Sequence, residues 1–210
     1  MISLSEILHT IAQALMIPCL IILLILMAGA VWQIGDIVVE FIAERRKHKC
    51  NVPQLLRDVH TAGADGLAEL IENSGLLRRQ MKAVLELAES RGLPKDTLTA
   101  LAERLLATEE ARNARTTSVT DMIAKLGPMF GLLGTLIPLG PGIVALGQGD
   151  TVTLSESMNV AFDTTIAGVI SAAVASVISH IRKRWYNDDM VSLETLMEAV
   201  LEEVTADVEG

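Results

Sequence analysis

The sequence predicts an all-α integral membrane protein with three transmembrane helices, a helical cytoplasmic region and its N-terminus outside. Of the 210 residues, 50% are hydrophobic and 3% are aromatic, and the mean hydropathy is +0.43. A soluble domain of this length is usually less apolar and has more aromatic residues in its core. The apolar residues also fall into three blocks, and a polar, charged stretch separates the first from the second. Composition and distribution therefore favour a protein that crosses a membrane.

Charge and cysteine content limit the functions to be expected. The formal net charge is -9, and no basic patch with interleaved aromatic residues offsets it, so no nucleic-acid partner is expected. Cys19 and Cys50 lack the spacing of metal ligands, and a disulfide between an apolar block and a basic run is not expected. The sequence shows neither a Gly-rich phosphate loop nor a His/Cys cluster. We therefore expect no enzyme activity, no cofactor and no metal site.

The first apolar block, residues 11–34, contains the uncharged run LMIPCLIILLILMAGAVW. A hydrocarbon core of about 30 Å needs about 20 apolar residues in a helix, so this block is long enough to span. A cleaved signal peptide is the alternative, but nothing basic precedes the run, which is also longer than a typical signal-peptide core. Two further spans are predicted at 122–146 and 160–181. The chain then comprises an N-terminal transmembrane helix at 1–43, a cytoplasmic helical region at 44–121, a two-span membrane region at 122–184 and a C-terminal cytoplasmic helix at 185–210.

Charges beside the spans predict the topology. Basic residues follow the first and third spans, whereas the segment before the first span and the loop at 148–157 contain no Lys or Arg. The positive-inside rule therefore places the N-terminus and that loop outside, and the middle region and the C-terminus in the cytoplasm. The basic residues are Arg45, Arg46, Lys47 and Lys49 after the first span and Arg182, Lys183 and Arg184 after the third.

The cytoplasmic segments have the pattern of helices. Apolar residues recur at helical spacing in LLRRQMKAVLELAES, Gly92 can end that helix, and Pro94 suits the first turn of the next. No helix breaker follows until Gly127, so the second membrane helix is expected to continue a long cytoplasmic helix. The stretch YNDDMVSLETLMEAVLEEV is expected to form a further amphipathic helix.

The third span has two different faces. At about 100° per residue, small and hydroxyl side chains cluster on one face and aliphatic ones on the other. Close helix–helix packing and the lining of a hydrated path both explain such a stripe in lipid, and the helix alone favours packing. The stripe contains Thr164, Thr165, Gly168, Ser171, Ala172, Ala175, Ser176 and Ser179.

Asp163 is an acidic residue inside this span, close to its outer end. It projects from the aliphatic side, roughly opposite Thr165. A carboxylate there can reach the interface or stabilise the helix N-terminus. Alternatively it is a cation or proton relay at the outer mouth, since a charge within a span is costly to bury and often functional.

The two later spans resemble the proton-channel family of MotA, TolQ and ExbB. Members carry a Gly-Leu-(Leu/Phe)-Gly-Thr segment on one span and a Thr-x-x-Gly segment on the next. The first is matched by Gly131-Leu132-Leu133-Gly134-Thr135 within GPMFGLLGTL, and the second by Thr165 and Gly168 within DTTIAGVISAAVAS. The detailed resemblance covers about residues 105–185, and the first 100 residues match only in architecture. The stretch PLGPG after Thr135 departs from the commoner members.

The resemblance implies a homo-oligomer, expected to be a pentamer, whose second and third spans line a central pore. Its implied partner is an ExbD-, TolR- or MotB-like single-span membrane protein with an intramembrane Asp. Thr135 and Thr165 would face that partner, with Thr164, Asp163 and Ser171 as further candidates for the ion pathway. Gly131, Gly134 and Gly168 would permit close helix packing. Pro138 and Pro141, like Pro128, would bend or interrupt the span, which membranes tolerate beside protein or water.

The expected function is therefore that of a pore-wall subunit of an ion-driven motor in the cytoplasmic (inner) membrane. Ion flow, of protons or sodium ions, would drive mechanical work or transport through the partner. A membrane scaffold without transport is the alternative. A transporter that needs no partner is a second rival, which three spans without an inverted repeat disfavour.

Overall fold

The computed structural model describes residues 4–42 and 51–209, and within these ranges it contains helices and no strands. The all-α prediction is therefore confirmed. The helices are α1 (Leu4–Ala14), α2 (Met16–Glu40), α3 (Val52–Glu72), α4 (Arg78–Glu89), α5 (Lys95–Gly147) and α6 (Thr151–Glu209).

Three helical stretches are long and apolar enough to cross a membrane: Glu6–Glu40, Lys95–Gly147 and Thr151–Ala206. They include the three predicted spans, so the prediction of three membrane helices is confirmed. The topology remains a prediction, and part of its basis lies outside the described residues. Those positions are Arg45, Arg46, Lys47 and Lys49, together with Cys50.

The first apolar block is divided at Leu15, which separates α1 from α2. Sequence reasoning expected one span beginning near Ile11. Pro18 supplies the physical reason, because it has no N–H to donate to the carbonyl of Ala14. The Leu15 amide is shared between the carbonyls of Ile11 and Ala12, at 3.1 and 3.2 Å, and regular bonding resumes with Cys19.

Helix α5 is continuous from Lys95 to Gly147, as the absence of breakers before Gly127 predicts. The preceding turn contains Gly92 at φ +97°, and the Pro94 carbonyl accepts the first hydrogen bonds of α5. The prolines are expected to bend or interrupt the membrane part; α5 runs through Pro128, Pro138 and Pro141 without interruption, and bending stays a prediction. Contacts with α6 on both sides of the Pro138–Pro141 segment hold the helix in place there.

Helix α6 likewise runs without a break from Thr151 to Glu209. The expected C-terminal amphipathic helix is therefore the end of α6 and not a separate element. A short turn joins α5 to α6, with Gly149 at φ +79°. Asp150 accepts hydrogen bonds from the amides of Val152 and Thr153 and from the Thr153 hydroxyl, which lower the pKa of its carboxyl group. This cap fixes the start of α6.

The described residues form two compact units, the first from 1–36 and 117–181 and the second from 37–116 and 182–210. In the first unit, Leu132, Leu136, Ile166 and Val177 are each more than half exposed. Apolar surface of this extent indicates contact with lipid or with other membrane helices.

The second unit has a closed apolar core. Ile71 of α3, Leu87 of α4, Leu98 of α5 and Leu193 of α6 are each 0% exposed. Burying one such side chain contributes about 1.5–3 kcal/mol. The four helices therefore form a domain with its own hydrophobic core.

A buried ion pair joins the end of α2 to α6 in this unit. Arg182 is 3% exposed, and its Nε donates to Oε2 of Glu40 at 3.0 Å. The pKa of Tyr186 is raised to about 12, first by burial and then by the Glu40 carboxylate, which accepts a hydrogen bond from the Tyr186 hydroxyl. Phe41 stacks on Trp185 beside them, with ring centroids 6.0 Å apart. These contacts fix the C-terminal end of α2 to α6.

We expect Glu40→Ala to lower the free energy of unfolding by about 3–5 kcal/mol, because it leaves the buried Arg182 charge without its carboxylate. Glu194→Ala, at an exposed position of α6, is the matched control and should change it by less than about 0.5 kcal/mol. Thermal unfolding of the detergent-purified variants measures both, and equal effects of the two substitutions would contradict the assignment.

Candidate functional site

The membrane parts of α5 and α6 approach each other closely along a line of glycines. A Cβ built on Gly127 would lie 2.7 Å from the carbonyl oxygen of Gly168, and one on Gly134 would lie 2.6 Å from the Cβ of Thr164. A Cβ on Gly168 would lie 2.9 Å from the Cα of Gly131. Side chains at these glycines would force the helices apart. We call this contact, formed by the five residues named here, the glycine seam.

Contacts along the seam define the register of the two helices. Gly134 meets Thr164, whereas Gly142, further along α5, meets Ser157, which comes earlier in α6. The helices are therefore antiparallel. Counting along each helix from these contacts places the two motif threonines at nearly the same level, to within one to two helical residues, or about 1.5–3 Å.

Helix α2 covers one side of the α5–α6 pair. Leu26 and Ala30 of α2 are buried together with Ile123 of α5, and Leu126 and Val174 pack against this cluster. These contacts identify the sides of α5 and α6 that face α2.

Thr135 and Thr165 lie on the opposite side of the pair. Thr135 is nine residues from Leu126, and Thr165 is nine residues from Val174. Nine residues correspond to about two and a half turns at about 100° per residue, which leaves a rotation of about 180°, so both threonines face away from α2. Each is half-buried, at the edge of the seam. We call this side of the α5–α6 pair, marked by Thr135 and Thr165, the threonine face.

The two hydroxyl groups on this face donate to their own helices. Thr135 Oγ1 donates to the carbonyl of Leu132 at 2.7 Å, and Thr165 Oγ1 donates to that of Ala161 at 3.0 Å. A hydroxyl has one donor and two acceptor lone pairs, so each oxygen can still accept a proton donor from outside the helix. The face can therefore solvate a hydrated cation or a protonated group.

Thr164 and Ser171 lie inside the helix pair and not on the threonine face. Their exposed fractions are 4% and 1%. Thr164 donates to the carbonyls of Val160 and Ala161, both at 2.9 Å, and Ser171 donates to that of Ala167 at 2.7 Å. In the described chain both side chains are buried and their hydroxyl groups donate within α6, and a part in the ion pathway stays a prediction.

Asp163 is exposed and is rotated by about 160° from Thr165, so the structure does not bring it to the threonine face. Within the described residues, no group of three or more His, Cys, Asp or Glu side chains could hold a metal ion.

Sequence reasoning missed Asp121, which it assigned to the end of the cytoplasmic region. Ser179 donates to Oδ1 of Asp121 at 2.5 Å, across the α5–α6 pair. One feature of the sequence could have indicated this contact: Ser179 lies at the end of the stripe of small residues. An antiparallel pairing of the two predicted spans brings that position next to the residue preceding the second span.

The fold and site define a class of membrane protein, with a close antiparallel helix pair that carries a threonine of each helix on one side, and with a second helical unit that has its own core. The family model described as the MotA/TolQ/ExbB proton channel family matches residues 72–195, more than half of the chain. The protein belongs to this family. No curated protein matches the sequence. The matched range includes the glycine seam, the threonine face and the Asp121–Ser179 pair.

We expect Gly134→Ala to lower the free energy of unfolding by about 1–3 kcal/mol, since its methyl group would overlap Thr164. Gly140→Ala is the matched control in the same helix, because a Cβ there meets no atom within 4 Å. Thermal unfolding in detergent distinguishes them. A Gly134→Ala protein as stable as the control would show that the seam is looser than described.

Proposed function

We propose that this protein is a pore-wall subunit of an ion-driven motor complex in the cytoplasmic membrane. Family membership supports a proton-channel subunit. The observation that carries the finer proposal is that Thr135 and Thr165 lie at one level on the side of the α5–α6 pair away from α2. Two hydroxyls so placed line a surface on which another helix can pack and an ion can pass.

The proposed topology places the N-terminus and the α5–α6 turn outside. The turn contains Asp150 and no Lys or Arg, whereas Arg182, Lys183 and Arg184 follow the third span. Under the positive-inside rule, the second unit is then cytoplasmic. Its apolar core supports a folded domain there, able to hold neighbouring subunits in place.

The proposed assembly is a homo-oligomer, a pentamer by family resemblance, around a single-span partner with an intramembrane Asp. The exposed apolar residues of the first unit support contacts with lipid and with neighbouring subunits. The threonine face would be turned towards the partner, because a carboxylate in lipid needs hydrogen-bonding groups around it.

Protons are the proposed ions, and they would pass between the partner's Asp and the threonine face. One charge crossing 100 mV releases about 2.3 kcal/mol. That energy would change the position of one component relative to the other, and the partner would deliver the work on the outer side. On that side, the described part of this chain offers the start of α1 and the short α5–α6 turn.

We expect Thr135→Val and Thr165→Val each to reduce proton flux by about tenfold or more, because each removes one hydrogen-bonding group from the path. Thr108→Val is the matched control. Thr108 makes the same kind of bond within α5, to the carbonyl of Arg104 at 2.8 Å, but lies in the second unit. Flux is measured with a pH-sensitive dye in vesicles holding the protein with its co-purified chains.

Unchanged flux in both membrane variants would contradict the role of the threonine face. An absence of ion flux in the wild-type complex would favour the scaffold. Equal flux from the chain without any partner would favour a transporter acting alone.

A further inference from the structure

A hydrogen-bonded carboxylate and hydroxyl lie at one end of the membrane part of the α5–α6 pair. Asp121 of α5 accepts the hydrogen bond of Ser179 of α6, whose exposed fraction is 4%. The adjoining part of α5 is also polar inside. Thr120 is 0% and Thr117 is 6% exposed, and the Thr120 hydroxyl donates to the Thr117 carbonyl at 2.8 Å. Polar side chains buried at this density are uncommon unless they have a structural or a functional purpose.

Asp121 lies on the threonine face. It precedes Thr135 by 14 residues, which places it about 40° away around α5 and about 21 Å along it. Ser176 lies on the same side of α6, about 20° around the helix from Thr165, and it is exposed. The face thus presents hydroxyls at the level of Thr135 and Thr165, a further hydroxyl at Ser176, and a carboxylate at its end.

We propose that Asp121 is the inner proton acceptor of the path, and that Ser179 positions its carboxylate. This inference rests on the proposed function and names the residue that receives the proton leaving the threonine face. The proton binds the Asp121 carboxylate to form the carboxylic acid, and water on the cytoplasmic side then takes it up and regenerates the carboxylate.

A carboxylate suits this step because it can take up one proton and release it again. Ser179 donates to the ionised form, which offsets part of the cost of holding a charge between two membrane helices. Four other charged or titratable side chains lie within about one turn in sequence of Asp121 or Ser179. Lys125 lies one turn further along α5, and His180, Arg182 and Lys183 follow Ser179 on α6. Arg182 is buried and pairs with Glu40, and the other three are exposed.

Two substitutions separate proton acceptance from packing. Asp121→Asn keeps an oxygen that accepts the Ser179 hydrogen bond but removes the group that takes the proton. Ser179→Ala removes the hydrogen bond but leaves the carboxylate. If the pair is merely structural, Ser179→Ala should reduce the proton flux more than Asp121→Asn does. If Asp121 accepts the proton, only Asp121→Asn removes the accepting group.

The test measures proton flux in vesicles that hold the complex with its co-purified chains, together with its thermal stability. We expect Asp121→Asn to lose about tenfold or more of the flux, the scale of a lost proton-transfer group. Ser179→Ala should lose less than about threefold, and Asp121→Glu should keep more flux than Asp121→Asn. Asp188→Asn, an exposed acid of α6 in the second unit, is the control and should match the wild type.

Three results of this test would overturn the inference. Wild-type flux with retained flux in a stable Asp121→Asn complex overturns the inference and leaves the proposed function standing. A larger loss in Ser179→Ala than in Asp121→Asn shows a structural pair and also overturns it. A wild-type complex that conducts no protons overturns the proposed function and this inference together.

Discussion

The close contact between α5 and α6 is the constraint on which the membrane part depends. Inside a bilayer, the hydrophobic effect does little to bring two helices together, so association relies on van der Waals packing and on hydrogen bonds. The glycine seam supplies that packing, since a Cβ at Gly127, Gly134 or Gly168 would collide with the facing helix. The seam thereby sets the register in which Asp121 meets Ser179.

The same contact divides the polar residues into two groups. Thr164 and Ser171 lie inside the pair, where their hydroxyls donate to their own helix. Thr135 and Thr165 lie at the edge of the seam, on the side away from α2, and remain partly exposed. The centre of the stripe of small and hydroxyl residues therefore packs against α5, which is the first explanation that the sequence left open. Its edge stays partly exposed, as the second explanation, a hydrated path, would require.

The apolar blocks and the absence of helix breakers were enough to predict the three membrane helices and the continuity of α5, whereas close packing at Gly131, Gly134 and Gly168 was implied by the family resemblance. Residue patterns could not show where a proline ends a helix. Pro18 accompanies a break at Leu15, whereas Pro138 lies within a helix held against α6 on both sides. The role of Asp121 was also hidden, because a charge at a span boundary is usually solvated. Only the antiparallel register brings Ser179 to it.

The central claim is that the threonine face lines a path inside an assembly and does not simply face lipid. Its most direct test is the mass of the complex, purified gently from its own membrane, with all co-purifying chains identified. The account predicts five copies of this chain with a small single-span protein that carries an Asp in its membrane segment. A stable monomer or dimer without such a companion would contradict it, and the glycine seam would then serve helix packing alone.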